Sequence, residues 1–179
     1  EGVRIRFVGY LEKARIPMQI DVGFGDVVHP SPEEKDYPTI LDLPAPQLRM
    51  YPRETVVAEK FEAIVYLGTL NSRYKDFFDI WLLSRSFNFD GADLARAIQK
   101  TFKHRETVLS ADPVALTPKF TTAENTQKQW AAFVKRANLE NAKATFDEIR
   151  EPLREFLLPV AGALISGESF SRRWPAPGP

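Results

Sequence analysis

The sequence contains no cysteine, and this absence excludes disulfide bonds, catalysis by a thiol and zinc sites built from cysteine. Only two histidines are present, His29 and His104, and they lack the spacing of a histidine metal site. No apolar run approaches the roughly 18 residues that a membrane span requires. We therefore expect a cytoplasmic protein without a membrane partner.

The sequence also has no excess of one charge, because 24 basic residues balance 24 acidic ones. This balance argues against a globally basic nucleic-acid binder, although a local basic patch is compatible with it. With 44% apolar residues among 179, the chain can bury a core. It shows no signal peptide and begins Glu1-Gly2 directly before strand-like sequence, so we expect a piece of a longer protein.

The first third of the sequence has the two-residue period of β-strands. Apolar residues alternate from Val3 to Phe7 and again from Ile16 to Phe24. The pattern predicts an antiparallel hairpin whose loop spans about residues 9–15. Six prolines follow between residues 30 and 52, which predicts loops with short edge strands, placed at 39–41 and 47–50.

The remainder has the 3.6-residue period of helices, with predicted helices at 54–67, at 73–85, after an Asp90 cap, at 122–137 and at 142–158. Thr121 and Glu124 have the spacing of a capping box for the fourth helix. Pro152 is expected to break or kink the last one.

These elements predict an α+β fold in which a small antiparallel or mixed sheet precedes a helical bundle. We place the sheet region at 1–52, the first helices at 53–110 and the remaining helices at 111–167. The proline-rich end at 168–179 is predicted to be disordered.

The helix at 54–67 carries one lysine on its apolar side. With Val57 at zero on a helical wheel, the apolar residues span about −100° to +80°, and Lys60 falls at about −60°. Glu59 and Glu62 fall on the opposite face. Either Lys60 packs its stem while its amine reaches solvent, or it is held in a cleft to bind a phosphate or a carboxylate. A partner is expected in both cases, because burying an unpaired ammonium is costly.

Four charged residues gather at the start of the next helix: Arg73, Lys75, Asp76 and Asp79. The rest of that helix is aliphatic and aromatic, so we expect it to be largely enclosed. One interpretation is a set of ordinary helix-surface ion pairs. The other is a site for an anion or a nucleotide, because cations and acids meet at an enclosed helix start.

Asp21 is an acid on the open face of the second strand. Such a residue usually faces solvent. Here Gly23 and Gly25 follow at alternate positions and leave space beside the carboxylate, an arrangement compatible with binding of Mg²⁺.

Three motifs carry a resemblance to a known family: Ile20-Asp21-Val22-Gly-Phe-Gly-Asp26, Tyr51-Pro-x-Glu-x-Val-Val-Ala-Glu-Lys60-Phe-x-Ala and Asn71-Ser-Arg73-x-Lys75-Asp76-Phe-x-Asp79. In this order and spacing they resemble the signature of the AbiEii/AbiGii abortive-infection toxins. These are bacterial proteins with a nucleotidyltransferase fold. The resemblance covers roughly residues 1–110.

The resemblance implies transfer of a nucleoside monophosphate from an NTP to an acceptor hydroxyl, with RNA as the acceptor and an antitoxin as partner. It implies Mg²⁺ as cofactor, with Asp21 as a metal-binding and catalytic carboxylate. It further implies that Lys60 contacts the triphosphate and that Asp76 belongs to the catalytic centre. Arg73, Lys75 and Asp79 are then expected to bind the nucleotide.

The chain departs from the family pattern in one respect. It contains no Gly-Gly, no Gly-Ser and no Asp-x-Asp, so the family's first motif is missing. We therefore expect the chain alone to be inactive, and an exposed sheet edge to favour self-association.

Two alternatives stay open beside the enzymatic interpretation. The first is a catalytically dead module that docks an antitoxin or RNA, through Arg49 and Arg53 beside Tyr51 or through the basic pair 135–136 beside Trp130. The second is a helical scaffold without a small-molecule site, which leaves the position of Lys60 unexplained.

Overall fold

The chain begins with a long two-stranded hairpin. In the computed structural model, which describes residues 2–139 and 145–178, β1 (Gly2–Leu11) pairs antiparallel with β2 (Ala14–Gly23). The predicted hairpin is confirmed, but its predicted loop of seven residues is wrong. The ladder continues to a two-residue turn, in which Glu12 adopts a φ of 52°. Positive φ is what tight hairpin turns require.

The two faces of this hairpin differ in polarity. Register places Val3 opposite Val22 and Phe7 opposite Met18 on one apolar face. Six side chains of that face are 40% to 51% exposed: Val3, Ile5, Phe7, Ile16, Met18 and Ile20. The opposite face carries the charged residues. The hydrophobic core of the protein is therefore elsewhere.

A second, shorter sheet follows, in which β3 (Glu33–Asp36) pairs antiparallel with β4 (Gln47–Met50). The strand predicted at 47–50 is confirmed. The one predicted at 39–41 is wrong, because those residues belong to the loop that joins the strands. A hydrogen bond from the Tyr37 amide to the Pro46 carbonyl closes this loop at 2.9 Å. Since Pro38 and Pro44 lack an amide donor, they cannot extend the ladder.

Six α-helices make up most of the remaining described chain: α1 (Arg53–Leu67), α2 (Tyr74–Ser86), α3 (Gly91–His104), α4 (Pro118–Thr121), α5 (Glu124–Arg136) and α6 (Phe146–Ser166). The predicted helices at 54–67, 73–85 and 122–137 are confirmed within two residues at each end. Asp90 caps α3 as predicted, since its side chain accepts hydrogen bonds from the amides of Ala92 and Asp93. Across residues 2–139 and 145–178, the helices do not combine the length and apolarity needed to cross a bilayer.

Two details of helix termination differ from the prediction. The capping box of Thr121 and Glu124 is wrong, because Thr121 ends α4 and its hydroxyl donates to Asp147 at 2.7 Å. The capping box lies instead at Thr145 and Glu148, at the start of α6. The predicted start of that helix at Ala142 falls outside the described residues.

Pro152 neither breaks nor ends α6, which continues to Ser166. A proline removes one backbone hydrogen bond, and the buried side chains along the helix offset that loss. Leu153, Phe156, Leu157 and Val160 are each fully buried.

An aromatic cluster holds the helices together. Phe146, at the start of α6, is 1% exposed and contacts the rings of four residues on three other helices: Tyr74, Phe77, Phe120 and Trp130. Aromatic pairs of this kind stabilise the fold by more than the burial of their apolar area alone. The core of the protein thus lies between the helices, where buried side chains of all six helices, together with Phe89 and Trp174, form one cluster.

The disorder predicted for the C-terminal end is wrong for its described residues. β6 (Arg173–Trp174) pairs antiparallel with β5 (Phe89–Asp90). Trp174 is 2% exposed and packs against Phe156 and Phe170. A high proline content predicts an absence of regular structure. It does not indicate that one large aromatic side chain of the segment, Trp174, is buried and holds the segment in place.

Candidate functional site

α1 and α2 run antiparallel and share one line of contacts, which we term the α1–α2 seam. At one end, the Lys60 amine contacts Asp76 and Asp79 near the start of α2. At the other end, the Arg53 guanidinium lies 5.4 Å from the ring centre of Phe87, just after α2. The two contacts fix the relative direction of the helices. They also bring the motif that contains Lys60 against the motif that contains Asp76 and Asp79.

Five charged side chains form a network at one end of this seam, and we refer to Arg73, Lys75, Asp76, Asp79 and Lys60 as the Lys60 network. Lys60 Nζ lies 2.9 Å from Asp76 Oδ1 and 2.8 Å from Asp79 Oδ2. Arg73 Nε lies 2.7 Å from the other oxygen of Asp76. Lys75 donates to Asp79. Cations and carboxylates therefore alternate along the network.

Local structure fixes the members of this network. The Asn71 side chain accepts a hydrogen bond of 2.7 Å from the Arg73 amide, which sets the start of α2. Arg73 reaches Asp76 three residues on, and Lys75 reaches Asp79 four residues on, which are the spacings of neighbours on a helix surface. Lys60 arrives from α1 and joins both carboxylates.

Burial differs between the inner and the outer members of the network. The side chain of Asp76 is 4% exposed and that of Lys60 is 19% exposed, whereas Arg73 and Lys75 are 58% and 70% exposed. Burial lowers the pKa of Lys60, but hydrogen bonds with Asp79 and Asp76 and their charges outweigh this and raise it above its ordinary value. Lys60 is therefore a cation at neutral pH.

The network carries one net positive charge, because three cations face two carboxylates. Its two outer cations reach solvent, and the inner carboxylates hold the amine of Lys60 in place. This arrangement presents fixed positive groups to an anion such as a phosphate. The partner expected for Lys60 is therefore present as two carboxylates.

Asp21 lies on the polar face of the hairpin rather than in the Lys60 network. Its carboxylate accepts a hydrogen bond of 2.7 Å from Arg4 Nε and one of 2.9 Å from the Gln19 amide. The hydrogen bond from Arg4 is the main cause of a lowered pKa for Asp21, so the carboxylate is ionised at neutral pH. The contacts that the structure gives for Asp21 all lie within β1 and β2.

The described residues, 2–139 and 145–178, include no group of three or more histidine, aspartate or glutamate side chains arranged to hold a metal ion. Asp21 is the acid of the hairpin's polar face, and Arg4 already neutralises it. Mg²⁺ binds through a few carboxylate oxygens. This part of the chain therefore does not by itself supply three carboxylates for a magnesium site at Asp21.

A second ionic cluster lies on the other side of α1, on the face that the helical wheel assigns to Glu59 and Glu62. Glu62 is 4% exposed, and its carboxylate accepts hydrogen bonds from Arg105, at 2.7 Å, and from the Thr107 hydroxyl. Burial raises the pKa of the neighbouring Glu59, against the opposing charge of Arg105. The partners come from more than 40 residues away, so no local pattern signals them.

Replacing Arg105 with alanine is expected to lower the free energy of unfolding by about 2 to 3 kcal/mol, because the buried Glu62 carboxylate loses its charged partner. Urea unfolding measures this change. A Glu62→Gln substitution in the Arg105→Ala background should recover part of the loss. Arg136→Ala, at an exposed position of α5, is the control and should change stability by less than about 0.5 kcal/mol. Equal effects of the two arginine substitutions would contradict the expectation.

The two basic clusters considered for RNA differ in accessibility. Trp130 is 3% exposed and stacks on Phe146 inside the core, so it is not available to stack on a base. Tyr51 is 46% exposed, and its hydroxyl lies 3.4 Å from Asp26. Arg53 is 42% exposed at the side chain. Only the cluster around Tyr51 thus retains an accessible aromatic ring.

Comparison with known proteins places this geometry in a family context. Residues 1–152 of the 179 match the model of a protein family described as nucleotidyl transferase AbiEii toxin, type IV toxin–antitoxin system. Comparisons with curated proteins and with solved structures gave no match. The matched region contains the hairpin, the sheet of β3 and β4, and the complete Lys60 network. The chain belongs to the AbiEii family of nucleotidyltransferase toxins.

Proposed function

We propose that this chain contributes the phosphate-binding part of an enzyme that transfers a nucleoside monophosphate from an NTP to a hydroxyl of RNA. In that reaction the acceptor oxygen bonds to the α-phosphorus while its proton passes to solvent or a base. The bond from the α-phosphorus to the bridging oxygen breaks, and pyrophosphate leaves. Negative charge accumulates on the leaving group and must be stabilised.

The Lys60 network is the observation that supports this proposal. It combines a partly buried ammonium with two exposed cations on one helix start, and its net charge is positive. Lys60, Arg73 and Lys75 bind the non-bridging oxygens of the β- and γ-phosphates in this scheme. A phosphate that binds there replaces none of the contacts between Lys60 and its carboxylates, since an ammonium has three donors.

Asp76 and Asp79 act as positioning residues in this scheme. Both oxygens of Asp76 face cations, with Lys60 on one and Arg73 on the other. Asp76 therefore holds one cation from α1 and one from the start of α2 in place. Asp79 similarly holds Lys60 and Lys75. The negative charges of the two aspartates offset the mutual repulsion of the three cations.

A divalent cation neutralises phosphate charge in reactions of this class. Asp21 alone does not make such a site in the described part of the chain, and its carboxylate is engaged by Arg4. We propose Asp21 as one ligand of Mg²⁺ whose remaining carboxylates come from outside the described residues. We therefore expect the chain alone to bind phosphates without turnover.

A non-catalytic binding module is the second candidate function. The observation that favours it is the lack of a three-carboxylate group within residues 2–139 and 145–178. In that case the same cations would bind the phosphates of an RNA.

As partners we propose an antitoxin beside the nucleotide, and we propose the cytoplasm as the site of action. Self-association through the hairpin edge is a further proposal, tested by sedimentation at increasing concentration.

Replacing Lys60 with alanine is expected to weaken the binding of tripolyphosphate about 10- to 100-fold, because a charge-assisted hydrogen bond from a fixed donor is lost. Isothermal titration of the 179-residue chain measures the affinity. Arg73→Ala and Lys75→Ala should each weaken binding less, since those side chains are exposed.

The matched control is Lys128→Ala, which removes a 71% exposed lysine from an ion pair on α5. It should leave the affinity within about twofold. Urea unfolding of each variant separates a binding defect from a folding defect. Equal affinities of the wild-type chain and a folded Lys60→Ala variant would reject the Lys60 network as the phosphate site.

A further inference from the structure

A cavity of about 940 Å³ lies at the other end of the α1–α2 seam. Its walls come from the start of α1, the end of α2, the strands β3 and β4, and the pair β5 and β6. The volume is within the range of small-molecule sites. None of the members of the Lys60 network lines it. The cavity is therefore a second feature of the seam, separate from the phosphate site proposed above.

The cavity has aromatic walls with a flat cation on them. The Arg53 guanidinium lies 5.4 Å from the ring centre of Phe87 and 5.7 Å from that of Phe89. Arg53 and Phe87 are 42% and 45% exposed. Each therefore presents a free surface toward the cavity, which both of them line. Guanidinium and phenyl planes are surfaces on which a planar ring stacks.

The charges of this cavity disfavour an anion. Its three cations are each paired with a carboxylate of the same lining: Lys35 with Glu33, Arg53 with Glu54, and Arg173 with Asp90. Asp93 adds a fourth carboxylate. The lining thus has one net negative charge, in contrast to the net positive Lys60 network. A phosphate is repelled here, whereas an uncharged ring is not.

Helix geometry places the two ends on one face of the seam. On a helical wheel of α1, Lys60 falls about 40° from Val56, which lines the cavity. On α2, Asp79 falls about 40° from Leu83, another lining residue. Each pair is separated by four residues, or about 6 Å along the helix axis. The seam thus joins an aromatic end without net positive charge to a cationic end over about one helical turn.

We propose that this cavity binds the base of a nucleotide whose phosphates lie at the Lys60 network. A nucleotide has the same division into an uncharged planar ring and an anionic chain, separated by a ribose. The ring stacks on Arg53 and Phe87, and Trp174 and Met50 form part of the surrounding wall. The assignment of the phosphates rests on the proposed function, but the assignment of the ring to the cavity rests on the cavity itself.

Titration of the 179-residue chain with four free nucleosides, four NTPs and tripolyphosphate tests this proposal, with saturation-transfer NMR as the readout for weak ligands. At least one nucleoside is expected to bind, and its NTP is expected to bind at least tenfold more tightly. Phe87→Ala and Arg53→Ala should each weaken nucleoside binding about 5- to 100-fold, the usual range for loss of a stacking partner. Both should leave tripolyphosphate affinity within twofold.

Phe24→Ala is the matched control, because Phe24 is an exposed phenylalanine at 61% that does not line the cavity. It should not change nucleoside binding. The proposal is overturned if no nucleoside binds, if both lining variants bind nucleoside as well as wild type, or if benzyl alcohol binds as tightly as a nucleoside.

The same titrations separate this proposal from the proposed function. Tripolyphosphate binding that depends on Lys60, without nucleoside binding, supports the phosphate site and rejects the base site. Nucleoside binding that depends on Phe87, without Lys60-dependent phosphate binding, supports the cavity and rejects the phosphate site.

Discussion

Replacing Phe146 with alanine is expected to lower the free energy of unfolding by about 3 to 5 kcal/mol, the range for removal of a buried phenylalanine. The side chain is 1% exposed, so removal of its ring leaves a cavity inside the core. Its ring stacks on Trp130 at 5.1 Å and meets Phe77 edge to face at 5.0 Å. Each such pair adds about 0.5 to 1.5 kcal/mol beyond the area buried.

Because of the position of Phe146, the loss of its ring affects several helices at once. It is the first residue of α6, and its ring touches residues of α2, α4 and α5. A cavity at this point loosens the contacts among four helices at once. The start of α2 is one of them, so the Lys60 network should become less rigid, and tripolyphosphate affinity should fall together with stability.

Urea unfolding and tripolyphosphate titration of Phe146→Ala measure both effects. Phe146→Leu should lose about 1 to 2 kcal/mol, since it keeps most of the apolar volume. Phe24→Ala, at a 61% exposed position, should change stability by less than about 0.5 kcal/mol. A loss below about 1 kcal/mol for Phe146→Ala would show that the aromatic cluster does not hold the helices together.

The parts of the fold that were predictable are those encoded by local patterns. The helix at 54–67 follows from apolar residues at a period of 3.6 between Pro52 and Gly68, and the helix at 73–85 follows from an aliphatic and aromatic run after Asn71. The hairpin follows from two alternating runs. The turn at 12–13 was not predictable in the same way, because backbone pairing continues through residues whose side chains break the alternation.

The two ion pairs at the start of α2 were predictable for the same reason, whereas the contacts of Lys60 with them depend on how α1 packs against α2. Arg73 with Asp76 and Lys75 with Asp79 are neighbours on one helix, and the helical wheel turns Lys60 toward the apolar side. The buried pair of Glu62 and Arg105 was not predictable, because it depends on how α3 packs against α1. Sequence patterns describe one element at a time, and this pair exists only between two.

Replacing Trp174 with alanine is expected to cost about 3 kcal/mol or more of unfolding free energy, although a proline-rich tail is usually dispensable. The side chain is 2% exposed and lies between Phe156 and Phe170. A Cβ on Gly91 would collide with the Arg172 carbonyl and the Phe170 ring, so the tail packs closely onto the start of α3. Loss of Trp174 should therefore release β6 from β5.

Trp174→Phe separates the apolar contribution of this residue from that of its indole N–H. Within the described residues, that N–H is buried without a hydrogen-bond acceptor. Since an unsatisfied donor is itself destabilising, its removal should offset part of the lost contact area, and we expect a net cost of about 1 kcal/mol. Urea unfolding gives the free energies, and limited proteolysis of the tail shows whether β6 detaches.

Because Trp174 also lines the aromatic cavity, the alanine variant should lose nucleoside binding while the phenylalanine variant retains it. Rapid cleavage of the tail in the wild-type chain, or equal stabilities of the two variants, would refute the anchoring role of Trp174.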